Sequence, residues 1–431
     1  MTDQAAGTSA HGTRRISTKE AAELLGVKPE TVYAYVSRGQ LSSRRGPGGR
    51  GSTFDPKEVE ALARRNRRER AAPVSANELS VRTRITLIDK DRYYFRGVDA
   101  AQLALTHSYE EVAEWLWTGV LRPGIHFTAP PEAAGSARLA VRALPAHAGP
   151  TDRLRVAAIA AAAADPLRFD LSEEAVVGTA RTLIPTLVAA LPPLLPTHRD
   201  GGPLAGRLWG RLSGHTPDEA SLHALDTALA LLVDHDLAAS TLAVRVAASA
   251  RAHPYAAVSA GLGVLEGPLH GAASGLAHRM LLEVLERGSA APVVAEELRA
   301  GRRVPGLGHR VYTGEDPRAQ ALFGLLEVMP KAGPALAAAR DVVATTARHT
   351  DLRANVDLAL AVLTVSSGMR EEAGETIFAV ARTAGWIAHA LEEYEERPMR
   401  MRPVGQYVGL RPPQPLPAVP STPDVPGARE A

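Results

Sequence analysis

From about Asp152 onward, apolar residues recur at i, i+3 and i+4, with leucines set in alanine-rich runs. That period predicts amphipathic helices packed on one another. Pro and Gly clusters punctuate the runs. The stretch from Ala224 to Ala250 reads as one long helix or as a broken pair, with small residues that let neighbouring helices approach closely. Ahead of it, Arg84-Ile85-Thr86-Leu87-Ile88-Asp89 alternates like a short strand, and Ser108 to Trp117 carries the apolar stripe of a helix. Valine-rich alternating runs are almost absent, so the expected fold class of the body is all-α.

The first 72 residues follow a different pattern. Ile16 to Gly26 reads as a short capped helix, with Ser17 or Thr18 at its start, Glu20 behind, and Gly26 as the stop. Val27-Lys28-Pro29 is a turn. Glu30 to Arg38 is a second helix, with Val32, Tyr35 and Val36 spaced to pack inward and Gly39 ending it. Arg44 to Gly51 is a candidate wing, Phe54 to Leu62 opens a third helix, and an arginine run from Arg64 to Arg70 closes the unit. This winged helix-turn-helix over residues 13–72 resembles the N-terminal part of regulators of the MerR and excisionase type. Residues 1–12 and the Pro-rich 412–431 are expected to be disordered.

Composition adds limits. The 431 residues are enough for two or three domains and a large core, and 45% hydrophobic with 22% charged residues is ordinary for a globular chain. No run of apolar residues is long enough to span a membrane, and no signal peptide is read. Cysteine is absent, which excludes disulfides and thiolate chemistry and fits a cytoplasmic setting. The net charge of +2 is uneven. Met1 to Ala72 holds 14 basic and 8 acidic residues, leaving 35 basic and 39 acidic for the rest. A basic head on a mildly acidic body suggests two units with different partners. DNA through residues 13–72 is one reading of the head, by phosphate contacts from its helix and wing. Docking on the body or on another protein is the other.

Candidate chemistry lies in four local motifs. His235 sits in Asp234-His235-Asp236-Leu237-Ala238-Ala239-Ser240-Thr241, and His270 in Gly267-Pro268-Leu269-His270-Gly271. His309 sits in Gly306-Leu307-Gly308-His309-Arg310-Val311-Tyr312, followed by Asp316-Pro317-Arg318-Ala319, and Asp357 in Asn355-Val356-Asp357. A carboxylate base, imidazole donors and nearby arginines are what carbon–carbon bond formation from a thioester requires. No metal-ligand cluster is read.

The order and spacing of these motifs resemble the citrate synthase family, over about Arg82 to Gly409. The resemblance implies Asp357 as the base, His270 as donor to the thioester carbonyl and His309 as donor to the ketone. It implies His235, Arg318, Arg382 (in Ala381-Arg382-Thr383-Ala384-Gly385-Trp386) and Arg402 as contacts to oxaloacetate, with Arg402 reaching across a homodimer. Arg303, Gly306, Leu307 and Gly308 match the coenzyme A loop. The implied fold is a large helical domain (77–266 and 373–411) and a small one (267–372). No tightly bound cofactor is implied; acetyl-CoA is a co-substrate. The sequence departs from the family at Ala238, at Gly271-Ala272-Ala273-Ser274 and at Val404. These departures leave 2-methylcitrate synthesis from propionyl-CoA as an alternative to citrate synthesis. The basic head leaves a third reading, a DNA-binding metabolite sensor.

Overall fold

The computed structural model describes residues 15–37, 40–46, 51–60, 62–63, 81–195, 201–267, 271, 273–403 and 407–410. Residues 1–12, the Gly39 stop, the arginine run 64–70 and the tail 412–431 lie outside the described residues. The chain divides into two compact units, Met1–Arg82 and Thr83–Ala431.

In the first unit, Ser17 caps the helix Thr18–Leu25 and shares a reciprocal capping box with Glu20, while Gly26 ends the helix at φ 66°. Such a cap stabilises a helix by about 1 kcal/mol. A second helix follows at Pro29–Ser37. Three short strands, β1 (Ile16–Ser17), β2 (Ser43–Arg45) and β3 (Ser52–Phe54), form an antiparallel sheet in the order β1-β3-β2. The wing is thus the β2–β3 hairpin. Strand β1 was not foreseen, because a two-residue strand is too short to show alternation. Ala21, Leu25, Val32, Leu41, Phe54, Val59 and Leu62 form the core.

The second unit opens with an antiparallel meander, β4 (Thr86–Asp89), β5 (Arg92–Phe95) and β6 (Val98–Asp99). Among the described residues, every regular element after it is helical. The 23-residue helix Ala373–Glu395 runs through the core, with Val380, Arg382, Trp386, Ile387 and His389 buried along it. The helices Tyr109–Thr118, Glu173–Ala190, Ala239–Ser249 and Pro254–Leu265 pack against it. Two glycines allow this closeness. A Cβ on Gly261 would lie 2.8 Å from the Trp386 ring, and one on Gly385 would collide with the Val233 carbonyl oxygen.

Of the two readings of Ala224 to Ala250, the structure has the broken pair. Glu219–Leu231 and Ala239–Ser249 are separate helices. Asp236, at φ 58°, turns the chain between them, so the break projects His235. A second group of helices, Ala273–Arg287, Pro317–Glu327 and Gly333–Ala347, packs around Val356–Ser366. No helix among the described residues is long and apolar enough to cross a membrane.

Candidate active site

A cleft of about 910 Å³ is lined by His235, His309, Arg318, Asp357 and Arg382. Residues far apart in sequence therefore meet at one place. His270 lies outside the described residues, but Gly267 and Gly271 on either side of it, and Ser274 beyond, line the same cleft.

Local sequence explains how each side chain is held. Asn355 caps the helix Val356–Ser366, accepting the N–H groups of Asp357 and Leu358. Its amide nitrogen also donates to the Gly308 carbonyl at 2.8 Å. Gly308 N–H donates to Arg353 O, Asn355 N–H donates to Gly306 O, and Leu307 bridges to Ala354. The Gly306–Gly308 loop is thereby zipped to the segment before Asp357, which fixes His309 relative to that carboxylate. Both glycines have positive φ, 77° and 78°. A Cβ on Gly306 would lie 2.7 Å from Leu358 Cβ, and one on Gly308 would lie 2.9 Å from Leu352 Cδ2.

Asp316 caps the helix Pro317–Glu327 and grips Arg318 with both carboxylate oxygens, at 3.0 and 2.8 Å. It also accepts Val356 N–H at 3.1 Å, tying the two helix starts together. Arg382 donates Nε to the Leu232 carbonyl at 2.9 Å, and its guanidinium lies 4.5 Å over the Phe378 ring. This is its one hydrogen bond among the described residues, so its terminal nitrogens stay open to the cleft.

The histidines form a stack of polar rings. His235 and His309 lie edge to face with centroids 5.1 Å apart, and Tyr312 sits beside both. His235 Nε2 is 2.7 Å from Tyr312 Oη. Val311 N–H points at His309 Nδ1, and Arg318 Nη2 lies 3.2 Å from its Nε2, so each ring nitrogen has an N–H donor beside it.

Electrostatics sharpen the division of roles. Burial, and then the charges of Arg318, Arg382 and His309, hold His235 well below the ordinary imidazole value. Burial and Arg318 push His309 down to about 4. Both rings are neutral donors near pH 7. Burial opposes the Arg318 charge, but Asp316 outweighs it and keeps the guanidinium above its ordinary value. Burial lowers Arg382 to about 10, against the support of Asp234. Burial lifts the Asp357 carboxyl to about 6, with Arg318 pulling down and Asp316 pushing up. Because Asn355 does the capping, Asp357 has no hydrogen-bond partner for its carboxylate among the described residues. The cleft thus offers a carboxylate poised near neutrality, two neutral imidazoles and two guanidinium cations.

The other residues named from the sequence lie elsewhere. Gly306, Leu307 and Gly308 build the strut behind His309 rather than the cleft lining. Arg303 is exposed, while its neighbour Arg302 is paired bidentately with Glu297. Arg402 is exposed and does not line the cleft. Sequence reasoning gave no role to Tyr312, Asp316, Arg310 or Phe378. The first three lay inside the quoted His309 motifs; Phe378, four residues before Arg382, was signalled only by helical spacing.

The family model described as citrate synthase, C-terminal domain, matches residues 75–404, and a helix-turn-helix domain model matches residues 16–67. The citrate synthase of Haloferax volcanii is 31% identical over 357 residues, spanning 77% of this chain and 94% of its own. The crystal structure of citrate synthase from Thermotoga maritima superposes with TM-score 0.63 at 27% identity, covering 79% of this chain and 96% of that one. The ternary complex of carboxymethyl coenzyme A and oxaloacetate with citrate synthase from Thermoplasma acidophilum shares the fold, with TM-score 0.65 at 23% identity over 79% of this chain and 97% of that one.

Proposed function

Since the chain belongs to the citrate synthase family, we propose that it condenses acetyl-CoA with oxaloacetate and hydrolyses the resulting thioester to citrate and free coenzyme A. It is an acyltransferase of the type that converts the acyl group to an alkyl group on transfer. The observation that carries the reading is the unpartnered Asp357 carboxyl, raised to about 6, in one cleft with His309, His235, Arg318 and Arg382.

The roles follow from chemistry. Asp357 removes a proton from the acyl methyl group, and His270 donates to the thioester oxygen as negative charge grows there. The new carbon nucleophile attacks the ketone carbon of oxaloacetate. His309 Nε2–H donates to the ketone oxygen, which becomes the hydroxyl. Arg318 and Arg382 hold the two carboxylates, because guanidinium pairs bidentately with them. His235 holds the ketone end, and water then displaces coenzyme A. Arg303 and the Gly306–Gly308 loop bind the coenzyme, and Arg402 serves the site of the second subunit in a homodimer. Closure of a small domain (267–372) on a large one (77–266 and 373–411) excludes water.

The assay is coenzyme A release with oxaloacetate plus acetyl-CoA, and separately plus propionyl-CoA. Turnover with acetyl-CoA that Asp357→Asn abolishes supports the reading. A preference for propionyl-CoA replaces it with 2-methylcitrate synthesis. No turnover with either donor rejects it and favours a sensor.

The helix-turn-helix domain at residues 16–67 supports DNA as a second partner. Duplex binding is expected to weaken steeply with salt, with a log–log slope of about −0.9 per phosphate contacted. It is expected to vanish on deleting residues 1–72. Binding that survives the deletion excludes this unit as the contact.

A further inference from the structure

The turn between β4 and β5 is distant in sequence from the His309 loop, yet it grips that loop. Lys90 and Asp91 both have positive φ, 48° and 62°, as in a type I′ hairpin turn. Glycine at the second position would relieve that conformation, and aspartate stands there instead. Its carboxylate is fully engaged. Oδ1 accepts Thr313 N–H at 2.7 Å, and Thr313 Oγ1 donates to Oδ2 at 3.1 Å. The Gly314 N–H points at it as well, and these bonds hold the carboxyl below its ordinary range. A Cβ on Gly314 would lie 3.0 Å from Asp91 Oδ2, so glycine leaves the carboxylate room to seat.

Thr313 directly follows Tyr312, whose hydroxyl meets His235 and whose ring lies 4.8 Å from that of His309. The same small sheet reaches the other histidine. Thr86 on β4 donates to Asp234, the neighbour of His235, and the Tyr93 ring lies 5.9 Å from the His235 ring. One hairpin therefore touches both histidine loops.

We infer that Asp91 is a positioning residue: through Thr313 it sets where Tyr312 and His309 stand, and with them the grip on the ketone end of the dicarboxylate substrate. The inference deepens the citrate synthase reading and rests on it for its kinetic consequence.

Two variants separate the carboxylate from the backbone. Asp91→Gly removes the acceptor while adopting the left-handed turn without strain. Asp91→Asn keeps an acceptor for Thr313 N–H and tolerates the same φ. Coenzyme A release is followed at saturating acetyl-CoA across oxaloacetate concentrations. Asp91→Gly is expected to raise KM for oxaloacetate about tenfold while kcat falls less than about threefold, and Asp91→Asn to recover most of the loss. A KM within about twofold of the parent in Asp91→Gly, or an Asn variant no better than the Gly variant, overturns the proposal. Hydrogen exchange over residues 309–316 is read on the same full-length proteins. Faster exchange in Asp91→Gly alone is expected, and unchanged exchange overturns the tether. If the parent turns over neither acyl-CoA, the function reading fails, and exchange alone decides the tether.

Discussion

The two walls of the cleft differ in how far the protein satisfies its own polar groups. On the wall built by the Leu232–Ala238 break, the buried charges behind His235 are paired. Asp234 is fully buried; it accepts from Thr86 and lies 3.2 Å from His389 Nε2. Arg245 donates to His389 Nδ1 at 2.9 Å and to Glu392 and Glu393. On the wall that starts the helix Val356–Ser366, Asn355 and Asp316 are saturated, and the Asp357 carboxyl beside them is not. Satisfied groups rigidify and aim; the group left without a partner is the one available to a substrate.

That contrast can be broken most directly at Asp357. Asp357→Asn removes the base and barely changes shape. Turnover is expected to fall about 10³-fold, within the range for general-base catalysis. Steady-state coenzyme A release checks it, and a loss under about tenfold would place the base elsewhere.

The saturated side is tested through Arg318. Arg318→Met strands the Asp316 carboxylate in a buried site, and losing one partner of such a pair costs about 3–5 kcal/mol. Chemical denaturation should show that loss together with weakened oxaloacetate binding. A variant of parental stability would show that Asp316 does not need the pair.

The strut that ties the His309 loop to the segment before Asp357 gives a smaller effect. Gly306→Ala and Gly308→Ala both force alanine to positive φ, at about 1–2 kcal/mol each. The neighbours differ. Gly306 faces Leu358 Cα and Cβ, which cannot move away, whereas Gly308 faces the end of the flexible Leu352 side chain. Gly306→Ala should therefore be the more destabilising of the two by thermal melting, and the reverse order would discredit the strut.

How much of this was legible in the sequence depended on whether the cause was local. Ser17, Glu20 and Gly26 marked a helix by capping chemistry that needs only adjacent residues, and the structure has that helix. The break near His235 was legible only as one of two alternatives, because no Pro or Gly marks it; Asp236 turns the chain by its backbone conformation. His235, His309, Asp357, Arg318 and Arg382 converge on the cleft. Their through-space partners were not readable. The Arg382–Leu232 bond joins positions 150 apart, and Asp91–Thr313 joins positions 222 apart. Nothing in a linear pattern pairs such residues. The roles given to Arg303 and Arg402 concern surfaces that meet other molecules, which no intrachain pattern defines.

The smallest effect reads the cost of leaving Asp357 unsatisfied. Its carboxyl is raised from 3.8 to about 6 by burial, so the folded state holds a proton that the unfolded state has released. Between those values the native protein binds more protons, and stability must fall as pH rises through the window. A shift of this size corresponds to about 3 kcal/mol at most. The side chain is only half-buried and faces the cleft, so ~1 kcal/mol is the expected contribution. Asp357→Asn carries no charge to desolvate. It should match the parent near pH 4 and exceed it by ~1 kcal/mol at pH 8 in denaturant titrations. The pH dependence of kcat/KM in the parent should rise through about 6 and then level, because the base must be ionised while His309, at about 4, stays neutral throughout. A stability gap that is the same at both pH values would mean that the Asp357 carboxyl is solvated in the folded protein, and the contrast between the two walls would be lost.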